Sequence, residues 1–73
     1  MQGSVVYQVG GYEDVDRLMD YLNSEGLRHR TVSIPGLDRH WHLNETPPEL
    51  TREILEGVAE VTARGGKIRV VLN

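Results

Sequence analysis

The chain has 73 residues, no cysteine and a formal net charge of −3. A domain of this size buries only about 60% of the surface that its unfolded chain exposes, so the length allows one small hydrophobic core. The lack of cysteine excludes a disulfide framework, a thiolate metal site and a cysteine nucleophile. We therefore expect one domain over residues 1–73, with no cofactor.

No segment has the basic start and long apolar run of a signal peptide, or the ~20 consecutive apolar residues of a membrane span. We expect a soluble, cytoplasmic protein that has no contact with a membrane. The negative net charge weighs against a general nucleic-acid-binding protein, because that activity usually depends on a basic surface.

A strand and a helix are the first predicted elements. Ser4–Val9 is rich in β-branched and aromatic residues and stops at Gly10-Gly11, which is typical of a strand. Apolar residues then recur at the spacing of one helical stripe: Val15, Leu18, Met19 and Leu22. Gly26 predicts a left-handed end to this helix, after which Leu27 folds back on the stripe.

A β-hairpin is predicted next, because Arg28–Ile34 and His40–Asn44 both alternate apolar and polar residues. One register brings inward-facing apolar residues of the two segments together: Ile34 with Trp41, and Val32 with Leu43. If His40–Asn44 is a loop instead, a three-stranded β-α-β-α-β layer remains.

The second helix has a clear start signal in Thr46-Pro47-Pro48-Glu49, with threonine as N-cap, proline at the first helical position and glutamate three residues after the cap. The spacing predicts a buried stripe of Leu50, Ile54, Val58 and Val61, with Leu55 at its edge. Gly57 costs about 1 kcal/mol relative to alanine, so we expect it to allow close approach of the helix to the sheet. Gly65-Gly66 ends the helix, and Lys67–Leu72 forms the last strand with Ile68, Val70 and Leu72 inward.

The predicted order β-α-β-β-α-β is that of an α+β, ferredoxin-like domain, in which a four-stranded antiparallel sheet carries both helices on one face. The usual strand order of this arrangement is 4-1-3-2, which makes the first and third strands central. The other face of the sheet is then open to a partner.

The candidate binding surface consists of the side chains that point out of this open face. They are Val6, Gln8, His29, Thr31, Ser33, His40, His42, Arg69 and Val71. We expect Val6 and Val71 to be neighbours, which gives an apolar centre with a polar edge, as in many interfaces. The sequence therefore predicts a non-enzymatic binding or regulatory domain that contacts another protein or a second copy of itself as a homodimer.

Two other functions remain as alternatives. A basic rim of Arg28, Arg30 and Arg39, together with the histidines, suits the phosphates of a nucleic acid, although Tyr7 and Trp41 are expected to point into the core, where they cannot stack on bases. A metal-responsive site at Asp38, His40 and His42 is the third possibility, although a two-residue strand step of about 7 Å is long for two histidines on one ion.

Two weaker sequence signals concern nucleophilic catalysis and phosphate binding. In the predicted register Ser33 lies opposite His42, but a catalytic triad also needs a cleft and an oxyanion hole, and an open sheet offers neither. Gly10-Gly11 stands between a strand and a helix, where phosphate loops occur, yet it has neither the GxGxxG spacing nor a P-loop lysine. We expect a structural turn there.

Overall fold

The computed structural model describes residues 3–73, and residues 1 and 2 of the predicted domain lie outside this described part. The elements follow one another in the order β1 (Val5–Val9), α1 (Tyr12–Ser24), β2 (Thr31–Ile34), β3 (Arg39–His42), α2 (Pro48–Thr62) and β4 (Ile68–Leu72). The four strands form one antiparallel sheet, and buried side chains of both helices share one core with its inward face. The predicted α+β fold class is confirmed, and the three-stranded alternative is wrong.

The order of strands in the sheet is β1-β4-β2-β3 and differs from the expected 4-1-3-2. The edges are β1 and β3, so Tyr7 and Trp41 lie on edge strands and not on central ones. Each helix still connects two strands that are separated by one other strand, with β4 between β1 and β2, and β2 between β3 and β4. Both orders therefore satisfy the same pattern of inward-facing residues.

The β2–β3 hairpin pairs Val32 with Trp41 and Ile34 with Arg39, two residues away from the predicted register. The reason is a shorter connection, in which a 3₁₀ turn at Pro35–Leu37 is followed by Asp38 in the left-handed conformation, with φ 53°. A shift of two residues keeps every side chain on its predicted face. The Trp41 indole is therefore buried as expected, while Leu43 lies beyond the strand and packs partly buried against the core.

The first helix follows its prediction closely. Its four apolar stripe residues are all buried, and Gly26 has a φ of 60°, the left-handed value expected after the helix. Leu27 packs against the core. The N–H of Gly10 donates to the Asp14 carboxylate over 2.7 Å, which fixes the strand-to-helix turn.

The second helix begins one residue later than predicted, and Thr46 makes no capping hydrogen bond. Pro48 is responsible, because a proline keeps the preceding residue out of the helical region. Pro47 accordingly has φ −58° and ψ 144°, and Pro48 is the first helical residue.

The buried face of α2 also differs from the predicted stripe. Its buried residues are Thr51, Leu55, Val58, Ala59 and Thr62. Leu50 and Val61 are 45% and 54% exposed, and Ile54 is only partly buried. Gly57 does not approach the sheet, since it is exposed and a Cβ added there would meet no atom within 4 Å.

Within residues 3–73, no helix combines the length and the hydrophobicity needed to cross a membrane.

Candidate functional site

The open face of the sheet carries the predicted side chains in rows that run across the strands. The backbone register places Val6 beside Val71, Val71 beside Ser33, and Ser33 beside His40. The expected contact between Val6 and Val71 is therefore present in the register. These two valines are the whole apolar content of the rows, because every other outward strand position is polar.

Polar pairs surround this valine pair. Gln8 lies opposite Arg69 on β1 and β4. Thr31 lies opposite His42, and its Oγ1 is 3.0 Å from the Nδ1 atom of that histidine. His29 is exposed in the turn before β2 and lies outside the rows. The face is thus mostly polar.

The expected basic rim is not a continuous surface. Arg30 is buried, and its guanidinium donates to the carbonyls of Gly3, over 2.9 Å, and Leu72, over 3.2 Å. Arg39 pairs with Ile34 and lines a groove on the helical side of the sheet. Arg28 lies beside a small hollow between the two helices. The three arginines therefore do not form one surface along which a phosphate backbone could bind.

The side chains predicted for a metal site and for a catalytic serine–histidine pair are also not brought together. No group of three metal-ligating His, Asp or Glu side chains is brought together in the part of the chain that the structure describes. Asp38 belongs to the left-handed turn of the hairpin. In the observed register Ser33 lies opposite His40, so the predicted pairing of Ser33 with His42 is wrong.

The depression at Gly10 and Gly11 is lined by Glu13, Asp14 and Lys67. Its Gly10 N–H, which a phosphate would need, already donates to Asp14. Two acidic side chains at the first turn of α1 repel an anion there. This geometry agrees with the structural turn expected from the sequence.

An apolar groove beside α2 is the feature that the sequence prediction missed. It has a volume of about 360 Å³ and lies between α2 and the segment at the start of β3. Its lining consists of Leu37, Arg39, Leu50, Glu53, Ile54, Gly57, Val58 and Val61. Leu37, Leu50 and Val61 are 41%, 45% and 54% exposed, so this surface is far more apolar than the open face of the sheet.

Helical geometry explains why these residues form one row. Each residue of an α-helix turns by about 100°, so Leu50, Ile54, Gly57 and Val61 fall within roughly 60° of one another. We call these four residues the groove row. The buried face of α2 lies to one side of it, and Glu49, Glu53 and Glu60 lie to the other side. We call these three glutamates the acidic wall.

Contacts with α1 support this orientation of α2. The Arg52 guanidinium donates to Asp16 of α1 over 2.9 Å and lies 3.6 Å from Glu56 of its own helix. The hydrogen bond to Asp16 raises the pKa of Arg52. Since Arg52 and the groove row lie on nearly opposite sides of α2, this contact keeps the row directed away from α1.

Tyr7 and Tyr21 form an aromatic contact on the other side of the domain, with ring centroids 5.7 Å apart. Burial, together with the neighbouring Tyr21 hydroxyl, raises the pKa of Tyr7 to about 12. The contact joins the edge strand β1 to α1 and contributes to packing.

Comparison of the chain with protein-family models, with curated proteins and with solved structures finds no match. The geometry of the groove therefore carries the functional proposal.

Proposed function

We propose that this protein is a non-enzymatic binding domain and that the groove beside α2 is its contact surface for another protein. The observation that carries the proposal is the set of large apolar side chains that α2 and the hairpin turn leave exposed around one groove: Leu37, Leu50 and Val61. Exposed apolar surface of this kind, edged by polar groups, is characteristic of interaction sites.

The groove suits this role better than the open face of the sheet. Its centre is made of leucine, isoleucine and valine, whereas the open face offers only Val6 and Val71. Arg39 and Glu53 supply charged groups at its edge. An apolar centre with a charged edge gives affinity through burial and selectivity through charge.

Helix α2 and strand β3 beside the groove are both anchored in the fold. Leu55 and Val58 anchor α2 in the core, and β3 is paired with β2 along its length. A surface that keeps its shape before binding loses less conformational entropy when the partner docks.

Site-specific cross-linking tests the proposal, because the natural chain has no cysteine. Val61→Cys gives one attachment point in the groove for a photoactivatable cross-linker, and Glu13→Cys gives a matched exposed point on α1. In extract of the native host, we expect a cross-linked protein from position 61 that position 13 does not give. Adding Leu50→Asp to the Val61→Cys chain should abolish it, because a carboxylate in the apolar contact is costly to bury. A cross-link that survives Leu50→Asp, or its absence at position 61, would contradict the proposal.

A further inference from the structure

We infer that the partner segment bound by the groove is an amphipathic α-helix with an apolar stripe and a basic flank, which lies along α2. This inference rests on the proposed protein-binding function and adds the chemical class of the partner.

The shape of the groove row indicates a helix. Leu50, Ile54, Gly57 and Val61 are spaced by four, three and four residues, which is the spacing of a seam between two packed helices. From Leu50 to Val61 the row extends about 16 Å, the length of three helical turns. An extended strand would instead pair with the free backbone groups of the edge strand β3. The groove row on α2 offers only side chains, which a second helix packs against.

Gly57 provides the second argument. A glycine inside a helix costs about 1 kcal/mol relative to alanine. Within the described chain nothing lies within 4 Å of the position that a Cβ would take, so packing inside this domain does not require it. In the middle of the groove row, the missing side chain leaves a notch that lets a second helix approach closely, as small residues do in helix pairs.

Charge selects which kind of helix fits. In the part of the chain that the structure describes, the ion pairs of α2 all involve Arg52, which contacts Asp16 and Glu56. The acidic wall is exposed along the groove row, and none of its three glutamates forms an ion pair with a described residue. A partner helix with lysine or arginine along one flank complements this wall.

A second copy of the chain fits less well. Helix α2 carries four glutamates against one arginine, a net charge of −3, so two copies of α2 in contact would repel each other. Arg39, on the opposite side of the groove, is a single cation against the acidic wall. It suits one acidic group or carbonyl of the partner and thereby favours one orientation of the bound helix.

Two synthetic helical peptides test the inference directly on the full chain. Both carry the same row of leucines, and the other positions hold alanine with lysine in one peptide and alanine with glutamate in the other. Titration calorimetry should give a Kd about tenfold lower for the lysine peptide at low salt, and the ratio should approach one at about 0.5 M NaCl, where exposed charges are screened.

Variants of the chain locate the binding. Gly57→Leu fills the notch and should raise the Kd of the lysine peptide at least about tenfold. Ala63→Leu adds the same side chain outside the groove row and should leave this Kd unchanged. Changing Glu53 and Glu60 to glutamine should raise the Kd of the lysine peptide about threefold or more. The same change at Glu13, outside the groove, is the control.

Three outcomes overturn the inference. They are equal binding of the two peptides at low salt, an unchanged Kd in Gly57→Leu, and a position-61 cross-link of twice the mass of the chain, which identifies a second copy. The first two leave the proposed binding of another protein standing as long as the position-61 cross-link depends on Leu50, whereas the third replaces that protein by a second copy. Loss of that cross-link is the separate failure of the proposed function itself.

Discussion

Truncation of Leu55 and of Leu50 to alanine distinguishes the two possible buried faces of α2. Leu55 is fully buried, and removing such a leucine leaves a cavity and costs about 2–5 kcal/mol. Leu50 is 45% exposed, so its removal forfeits roughly half of the ~1.5–3 kcal/mol that full burial of a leucine gives. We therefore expect Leu50→Ala to cost about 0.8–1.5 kcal/mol, less than the loss for Leu55→Ala.

These differences are large against the stability of the whole domain, which for 73 residues is roughly 4–11 kcal/mol. Urea denaturation followed by far-UV circular dichroism measures both variants against the natural chain. The midpoint should fall strongly for Leu55→Ala and slightly for Leu50→Ala, with the same slope m in each case. Equal losses, or a larger loss for Leu50→Ala, would show that the helix buries the stripe read from sequence and that no groove exists.

Three further predictions concern other parts of the domain. Gly57→Ala should raise the free energy of unfolding by about 1 kcal/mol in urea, since the new methyl group meets nothing and alanine favours the helix; no gain would mean that the glycine is needed within the free domain. Folding raises the pKa of Tyr7 from 10 to about 12. The contribution of Tyr7 to the free energy of unfolding is therefore complete below pH 10 and is lost as the pH rises toward about 12. Because the Tyr7 ring is partly exposed, solvent screens much of this effect, so stability should fall over that range by only on the order of 1 kcal/mol more than in Tyr7→Phe. Identical pH profiles of the two chains would rule out the effect. Arg30→Met should cost about 1–3 kcal/mol, because it removes the donor to the buried Leu72 carbonyl and to Gly3. A loss below about 1 kcal/mol in thermal unfolding would show that water replaces the guanidinium.

Much of the fold follows from local patterns in the sequence. The stripe of α1, the glycine after it and the alternation of β4 are each specified by neighbours a few residues apart, and all three are found as predicted. The face of Trp41 is predictable for the same reason, because alternation along β3 survives a change of register.

Strand order and hairpin register depend on information that is not local. Both orders of the sheet bury the same inward residues, so the apolar pattern does not separate them. The register of β2 on β3 is set by the left-handed Asp38 after Pro35–Leu37. Asp is one of the few non-glycine residues that adopt this conformation readily, which is the signal that would have favoured the shorter turn.

The orientation of α2 was mispredicted because the largest apolar residues were assumed to be the buried ones. Three of its five buried residues are small ones: Thr51, Ala59 and Thr62. The charged residues of α2 predict its orientation better. Viewed down the helix axis, its four glutamates lie on the side opposite to Thr51 and Val58. The acidic side alone therefore indicates which face packs on the sheet. Once that face is fixed, Leu50 and Val61 lie to one side of the core, where they are 45% and 54% exposed. A helix that serves only to close a core has no need of two apolar sides, and the second side of α2 is therefore the strongest physical reason to expect a partner.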